Sequence, residues 1–148
     1  SVVNKVSDKI SDVCIGVDVI VGFPGETDED FNMTYSLLEK LDISYLHVFT
    51  YSERDNTSSQ KISFKIDPSI KSIRRDKLKK LSAIKYRRFI DRNINRKLNI
   101  LFEKYTDGIL SGWTDNYIRV NVESKKNYTN QIKKVKLMDS HSINGILV

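Results

Sequence analysis

The stretch that most restricts what this chain can become runs from Val13 to Tyr51. It reads as a β-branched run, VCIGVDVIVG, a Pro24-Gly25 turn, an amphipathic helix and a second β-rich run, SYLHVFTY. Residues 13–22 are mostly apolar and end on glycine, which predicts a strand buried on both faces as in a parallel sheet. Thr27 followed three residues later by Asp30 is a capping-box start, and Asp28, Glu29 and Asp30 put negative charge where a helix dipole favours it. Phe31, Tyr35, Leu38 and Leu41 then recur on one helical face. Strand, helix of about fourteen residues and strand is a βαβ unit, so this part is predicted to be a parallel α/β architecture. Upstream, Val2, Val3, Val6 and Ile10 have helical spacing without a start signal before them.

Charge divides the chain more sharply than its total of +6 suggests. Residues 1–57 carry four Lys or Arg against eleven Asp or Glu, a net −7, and the rest is therefore +13. Such a division predicts an acidic part with one role and a basic part that meets a polyanion. After a polar loop over residues 52–68, Pro68 opens a helix predicted to reach Leu98. From Ile70 to Asn99 there are twelve Lys or Arg and two acids, Asp76 and Asp91. Beyond it come KLNILFEK, ILSGWT, NYIRVNVES, QIKKVKLMDS and INGILV, separated by turn signals such as Asp107-Gly108 and Asn144-Gly145. Five short runs in about fifty residues predict a small five-stranded antiparallel β-barrel of OB-like type. The expected domains are residues 1–68, an α/β portion; 69–97, a basic helical linker; and 98–148, the β-barrel.

No run of eighteen apolar residues and no secretory signal is present, so no membrane association and a cytoplasmic location are expected. One cysteine, Cys14, excludes an internal disulfide and cannot alone hold a metal centre; it is expected to be a small buried hydrophobe. No catalytic residue and no metal ligand set is expected within the segment.

Alternation in the second strand puts Tyr45, His47, Phe49 and Tyr51 on one face, with Leu46, Val48 and Thr50 on the other. In an α/β barrel the aliphatic face packs on helices and the aromatic face looks inward, leaving Tyr51, Ser52 and Arg54 at the mouth. Asp18 shares a face with Ile20 and Gly22, which implies either an ion pair to a neighbouring strand or a polar ligand nearby. The backbone from Gly22 to Glu26 lies between a strand end and a helix start, where a ligand can approach.

GVDVIVGFPGETDEDF, followed by YLHVFTYSERDNT, resembles the fifth and sixth strands of the radical S-adenosylmethionine (SAM) methylthiotransferases. GWTDNYIRVNV resembles their TRAM domain, a small RNA-binding barrel. The resemblance covers nearly the whole chain, and HVFTYSER is most similar to the branch acting on threonylcarbamoyladenosine. It implies the final βα units of a radical SAM (TIM-like) barrel, then the basic helix and TRAM domain. The implied activity is addition of a methylthio group to C2 of N6-threonylcarbamoyladenosine at position 37 of tRNA. The implied cofactors are S-adenosylmethionine and two 4Fe–4S clusters, whose cysteine ligands this chain lacks, so inactivity of the isolated segment is expected. Carried over by motif, Asp18, Ile20, Gly22, Phe23, Pro24, Phe49, Tyr51, Ser52 and Arg54 would lie against the cofactor or target nucleotide. Asp55-Asn56 stands where the family continues with proline and glycine, and asparagine tolerates the turn. Asn116, Tyr117, Arg119, Lys125, Lys126, Lys133, Lys134 and Lys136 would grip RNA, with Trp113 expected in the barrel core. The implied partner is the tRNA anticodon stem-loop, bound by a monomer. A non-catalytic RNA-binding module and a different radical SAM enzyme are the alternatives.

Overall fold

A computed structural model of the chain describes residues 2–148. They form two compact units: the residues up to Lys9 with Ile15–Tyr86, and Ile10–Cys14 with Arg87–Val148. No helix among the described residues is long and apolar enough to cross a membrane.

The first unit contains α1 (Val2–Lys9), β1 (Gly16–Val21), α2 (Asp28–Lys40), β2 (Tyr45–Thr50) and the early part of α3 (Pro68–Asn93). β1 and β2 pair in parallel, Gly16 opposite Tyr45 through Val21 opposite Thr50, so the βαβ expectation holds for this pair. Helix α2 starts as its sequence dictates. Thr27 Oγ1 accepts from Asp30 N–H and the Asp30 carboxylate accepts from Thr27 N–H, a reciprocal capping box. Its far end is closed by Lys85 of α3, whose buried ammonium donates to the carbonyls of Glu39 and Leu41. Phe31 and Leu38 meet Val21, Ile43, Leu46, Leu78 and Leu81 in a single core, with Tyr35 and Leu41 beside them. Ser82 on α3 accepts from Leu46 N–H and donates to Leu46 C=O, satisfying a strand that has one partner.

Two expectations change here. The strand begins at Gly16 rather than residue 13, and only one of its faces is buried: Val17, Val19 and Val21 face the core while Ile20 is 57% exposed. Burial on both faces requires cover on both, and the described helices pack on one.

α3 ends at Asn93, five residues short of expectation. Asn95 takes a left-handed φ of 66° and donates its N–H to the Leu137 carbonyl, which turns the chain into the next strand.

The second unit is a closed barrel of β3 (Lys97–Thr106), β4 (Ile109–Thr114), β5 (Arg119–Glu123), β6 (Ile132–Asp139) and β7 (Asn144–Leu147), in the order β3-β4-β5-β7-β6. Five strands were expected, but not all antiparallel: β7 inserts between β5 and β6 and pairs parallel with β5. The reason is connectivity, because β7 leaves β6 by a tight turn and so must run alongside β5 in the same direction. Leu98, Ile100, Phe102, Leu110, Ile118, Val120, Val122, Val135 and Leu137 fill the interior.

The β6–β7 turn is organised by Asp139. Its carboxylate accepts from Ser142 Oγ and from the N–H groups of His141 and Ser142. The Ser142 hydroxyl first, then the two backbone donors, hold its carboxyl below the ordinary carboxylate value of about 4. A carboxyl whose folded value is depressed adds stability above the unfolded value and loses it as pH falls through the folded one. Asp139→Asn should therefore lower the barrel's melting temperature at pH 7. The gap between variant and parent should narrow as pH drops below 4; a gap constant from pH 7 to pH 2.5 would show that the charge is irrelevant.

Candidate functional site

Of the residues expected near a cofactor, Gly22, Phe23, Pro24 and Tyr51 lie at the carboxyl ends of β1 and β2. Tyr51 N–H donates to Val21 C=O, holding the two exits together, and the Phe23 and Tyr51 rings meet edge to face at 5.1 Å. Lys71 of α3 lies 5.4 Å above the Tyr51 ring, and its stem occupies the space a Gly22 side chain would need. Gly22 has φ 75°, a conformation that favours glycine, and its N–H donates to Glu26 Oε2 at 2.8 Å. Pro24 is buried. Asp18, Ile20 and Phe49 lie on the open face of the sheet, with Ile20 opposite Phe49 and Asp18 opposite His47. Ser52 and Arg54 are exposed beyond the strand and are not drawn into this cluster, although Asn56 adopts the left-handed turn its sequence allows.

Sequence reading missed what fixes this turn. Arg74, with a side chain 6% exposed, donates from Nη1 to the carbonyl and carboxylate of Glu26, and from Nη2 to Asp28 Oδ1. Burial opposes the guanidinium charge, but hydrogen bonds to Asp28 and Glu26 outweigh it and raise its pKa above the usual arginine value. Arg74 thus reaches Gly22 through Glu26. Within a run of basic residues nothing marks it, except that it lies one helical turn before Leu78, a core residue.

Four neighbouring strands form a second cluster on the outside of the barrel. Registers place Arg119, Trp113, Leu101 and Ile132 side by side in one row. The Arg119 guanidinium lies 5.6 Å over the Trp113 ring. Tyr117, at φ 63° and 70% exposed, turns its ring to 6.3 Å from Trp113. Thr114 holds that turn: its hydroxyl accepts from Ile118 N–H, and its backbone is bonded to Ile118 and Tyr117. The expectation that Trp113 is a core residue is overturned. Leu110, Gly112 and Thr114 point inward along β4, so alternation sends Trp113 out.

The expected RNA-contacting residues divide. Lys134 and Lys136 share the outer face of β6 with Ile132, while Lys133 lies on the opposite face, 4.7 Å from the Tyr128 ring. Lys125 and Lys126 are exposed in the loop after β5. Asn116 is committed internally: its amide donates to Asp12 C=O and Asn93 Oδ1 and accepts from Thr114 Oγ1. Leu101 and Ile132 were not anticipated; apolar residues at outward positions of otherwise polar strand faces were their signal.

No group of three or more His, Cys, Asp or Glu able to hold a metal ion occurs among the described residues. A 4Fe–4S cluster is held by several thiolates, and the chain has one cysteine, so its residues do not fit such a cluster.

No protein-family model matches the chain. It is 32% identical over 140 residues to the threonylcarbamoyladenosine tRNA methylthiotransferase of Bacillus subtilis, covering 91% of this chain and 31% of that protein. With the Thermotoga maritima protein of the same name it shares 38% identity over 122 residues, 80% of this chain and 27% of the relative. The tRNA-2-methylthio-N(6)-dimethylallyladenosine synthase of Ehrlichia ruminantium is 36% identical over 144 residues, 93% of this chain and 32% of its own length. The chain thus spans about three tenths of the curated relatives it matches.

Proposed function

This chain is a homologue of the tRNA methylthiotransferases over most of its length, and on that premise we propose that it is the C-terminal portion of such an enzyme. The observation that carries the reading is the pairing of near-complete coverage of this chain with about three tenths of each relative. On this reading the full enzyme adds a methylthio group to C2 of N6-threonylcarbamoyladenosine at position 37 of tRNA. Residues 1–68 supply the last βα units of a radical SAM barrel, residues 69–97 a basic linker that is helical as far as Asn93, and residues 98–148 the TRAM-like grip on the anticodon stem-loop. It acts in the cytoplasm as a monomer, and the segment alone is inactive.

The open face of β1 and β2 suits the adenine of S-adenosylmethionine, which when bound supplies the reactive alkyl radical and the methyl group. Ile20 and Phe49 offer an apolar shelf, and Phe23 with Tyr51 offers an aromatic edge. Gly22 acts as a spacer rather than a donor, since Glu26 already accepts from its N–H. Ser52 and Arg54 face solvent, where the guanidinium suits a carboxylate or phosphate of the bound tRNA. Arg119, Lys125, Lys126, Lys134 and Lys136 would neutralise phosphates.

The reading is tested by grafting this chain in place of the matching segment of the Bacillus subtilis enzyme, in cells lacking their own. Restored 2-methylthio-N6-threonylcarbamoyladenosine, measured by mass spectrometry of tRNA, is the expected result. A folded, tRNA-binding chimera that leaves tRNA unmodified would overturn it. The chain itself should bind tRNA with a log–log salt slope of about −3.5 to −4.5, as neutralising roughly five phosphates requires. Salt-independent binding in a filter assay would remove the RNA half of the reading.

A further inference from the structure

Trp113, Tyr117, Leu101 and Ile132 are not simply an exposed apolar patch. Together with Asn99, Glu103, Thr114 and Asp115 they line a cleft of about 450 Å³ on the barrel's outer face. Two carboxylates in this cleft are unexpected on a surface meant for phosphate, because they repel it. A carboxylate beside aromatic rings instead accepts from N–H groups of a base lying flat against those rings. Guanine presents two adjacent donors on its Watson–Crick edge, N1–H and the N2 amino group. Uracil presents one donor between two carbonyls, which a carboxylate repels.

We infer that this cleft is a pocket for one unstacked guanine of single-stranded RNA, a reading that rests on the RNA-binding role proposed above. Trp113 and Tyr117 supply the stacking surface, with Arg119 behind Trp113. Leu101 and Ile132 close its floor in the same cross-strand row. Asp115, whose N–H donates to the Asn99 carbonyl, offers its two carboxylate oxygens to the two donors of the base edge, Glu103 bounds the far end of the cleft four residues along β3, and Lys134, paired in register with Asn99, holds the adjoining phosphate. The left-handed Tyr117 fits this role: the Thr114–Ile118 hydrogen bonds hold a bulky residue in a conformation that costs free energy, and such strain concentrates at ligand-binding sites.

The chain contains one tryptophan, Trp113, so its fluorescence reports on the pocket alone. The full chain is titrated with the RNA pentamers UUGUU, UUAUU, UUCUU and UUUUU, following Trp113 emission and, in parallel, filter retention. UUGUU should quench the emission and bind about tenfold more tightly than UUUUU. Tyr117→Ala should lower affinity for UUGUU about tenfold, within the range expected for one stacked base. Asp115→Asn and Glu103→Gln together should abolish the preference for UUGUU and, with two charges that repel phosphate gone, should hold UUUUU more tightly than the parent does.

Retention of all four pentamers without quenching would overturn the pocket but leave the RNA-binding reading standing. Equal quenching by all four would reduce the cleft to a stacking surface and overturn the guanine assignment. No retention of any RNA would overturn both. Emission that changes with protein concentration alone, without response to RNA, would put a second copy of the chain on the patch and also overturn the proposal.

Discussion

Replacing Arg74 with methionine should destabilise the α/β unit by about 3–5 kcal/mol, the cost of stranding one member of a buried ion pair. Glu26, its side chain 13% exposed, would keep its charge while losing the guanidinium that satisfies it. The Gly22 N–H would remain as its donor, too little to replace the charge-assisted hydrogen bond from Arg74. Arg74→Lys should recover only part of the loss, because an ammonium cannot span Glu26 and Asp28 as the fork does. Adding Glu26→Leu to the methionine variant should restore much of the stability by removing the stranded charge. Urea unfolding followed by circular dichroism checks the series. Equal losses in the single and double variants would show that packing, not charge, sets the cost.

Gly112→Ala should cost the barrel about 3 kcal/mol, at the upper end of ordinary overpacking. A β-carbon at this position would sit 2.2 Å from the Leu101 carbonyl oxygen and 2.8 Å from Ile100 Cγ2. The first contact is with backbone, which cannot rotate away. Here β3 and β4 come unusually close, and the register of β3 shifts between Phe102 and Lys104 directly afterwards. Ser111→Ala, whose hydroxyl makes an exposed hydrogen bond to Asn121, should change stability by less than about 0.5 kcal/mol. Thermal unfolding of both variants gives the comparison, and a Gly112→Ala barrel melting with the parent would mean the strands can separate freely.

Much of this was legible in the residues because it is local. The capping box at Thr27 and Asp30, the aromatic and aliphatic faces of β2 and the five barrel strands each follow from neighbours a few positions apart. What was hidden depends on partners distant in sequence. Arg74 and Lys85 look like two more cations in a basic helix, yet one clamps the β1–α2 turn and the other caps α2. Trp113 was misplaced because ILSGWT has glycine at an inward position, which leaves the hydrophobic alternation ambiguous. The shared face of Leu101 and Ile132 required the pairing of β3 with β6, which no local pattern discloses. β7 was recognised as a strand, but its parallel contact with β5 is a property of barrel order.

That order carries a consequence for synthesis. β7 stands between β5 and β6, although it follows both in the sequence. On the ribosome the first four barrel strands emerge with a gap where β7 belongs, and the edges of β5 and β6 stay open until Asn144–Leu147 arrive. Closure therefore waits for Asn144–Leu147, and a chain lacking them would hold a sheet with two adhesive edges rather than a barrel.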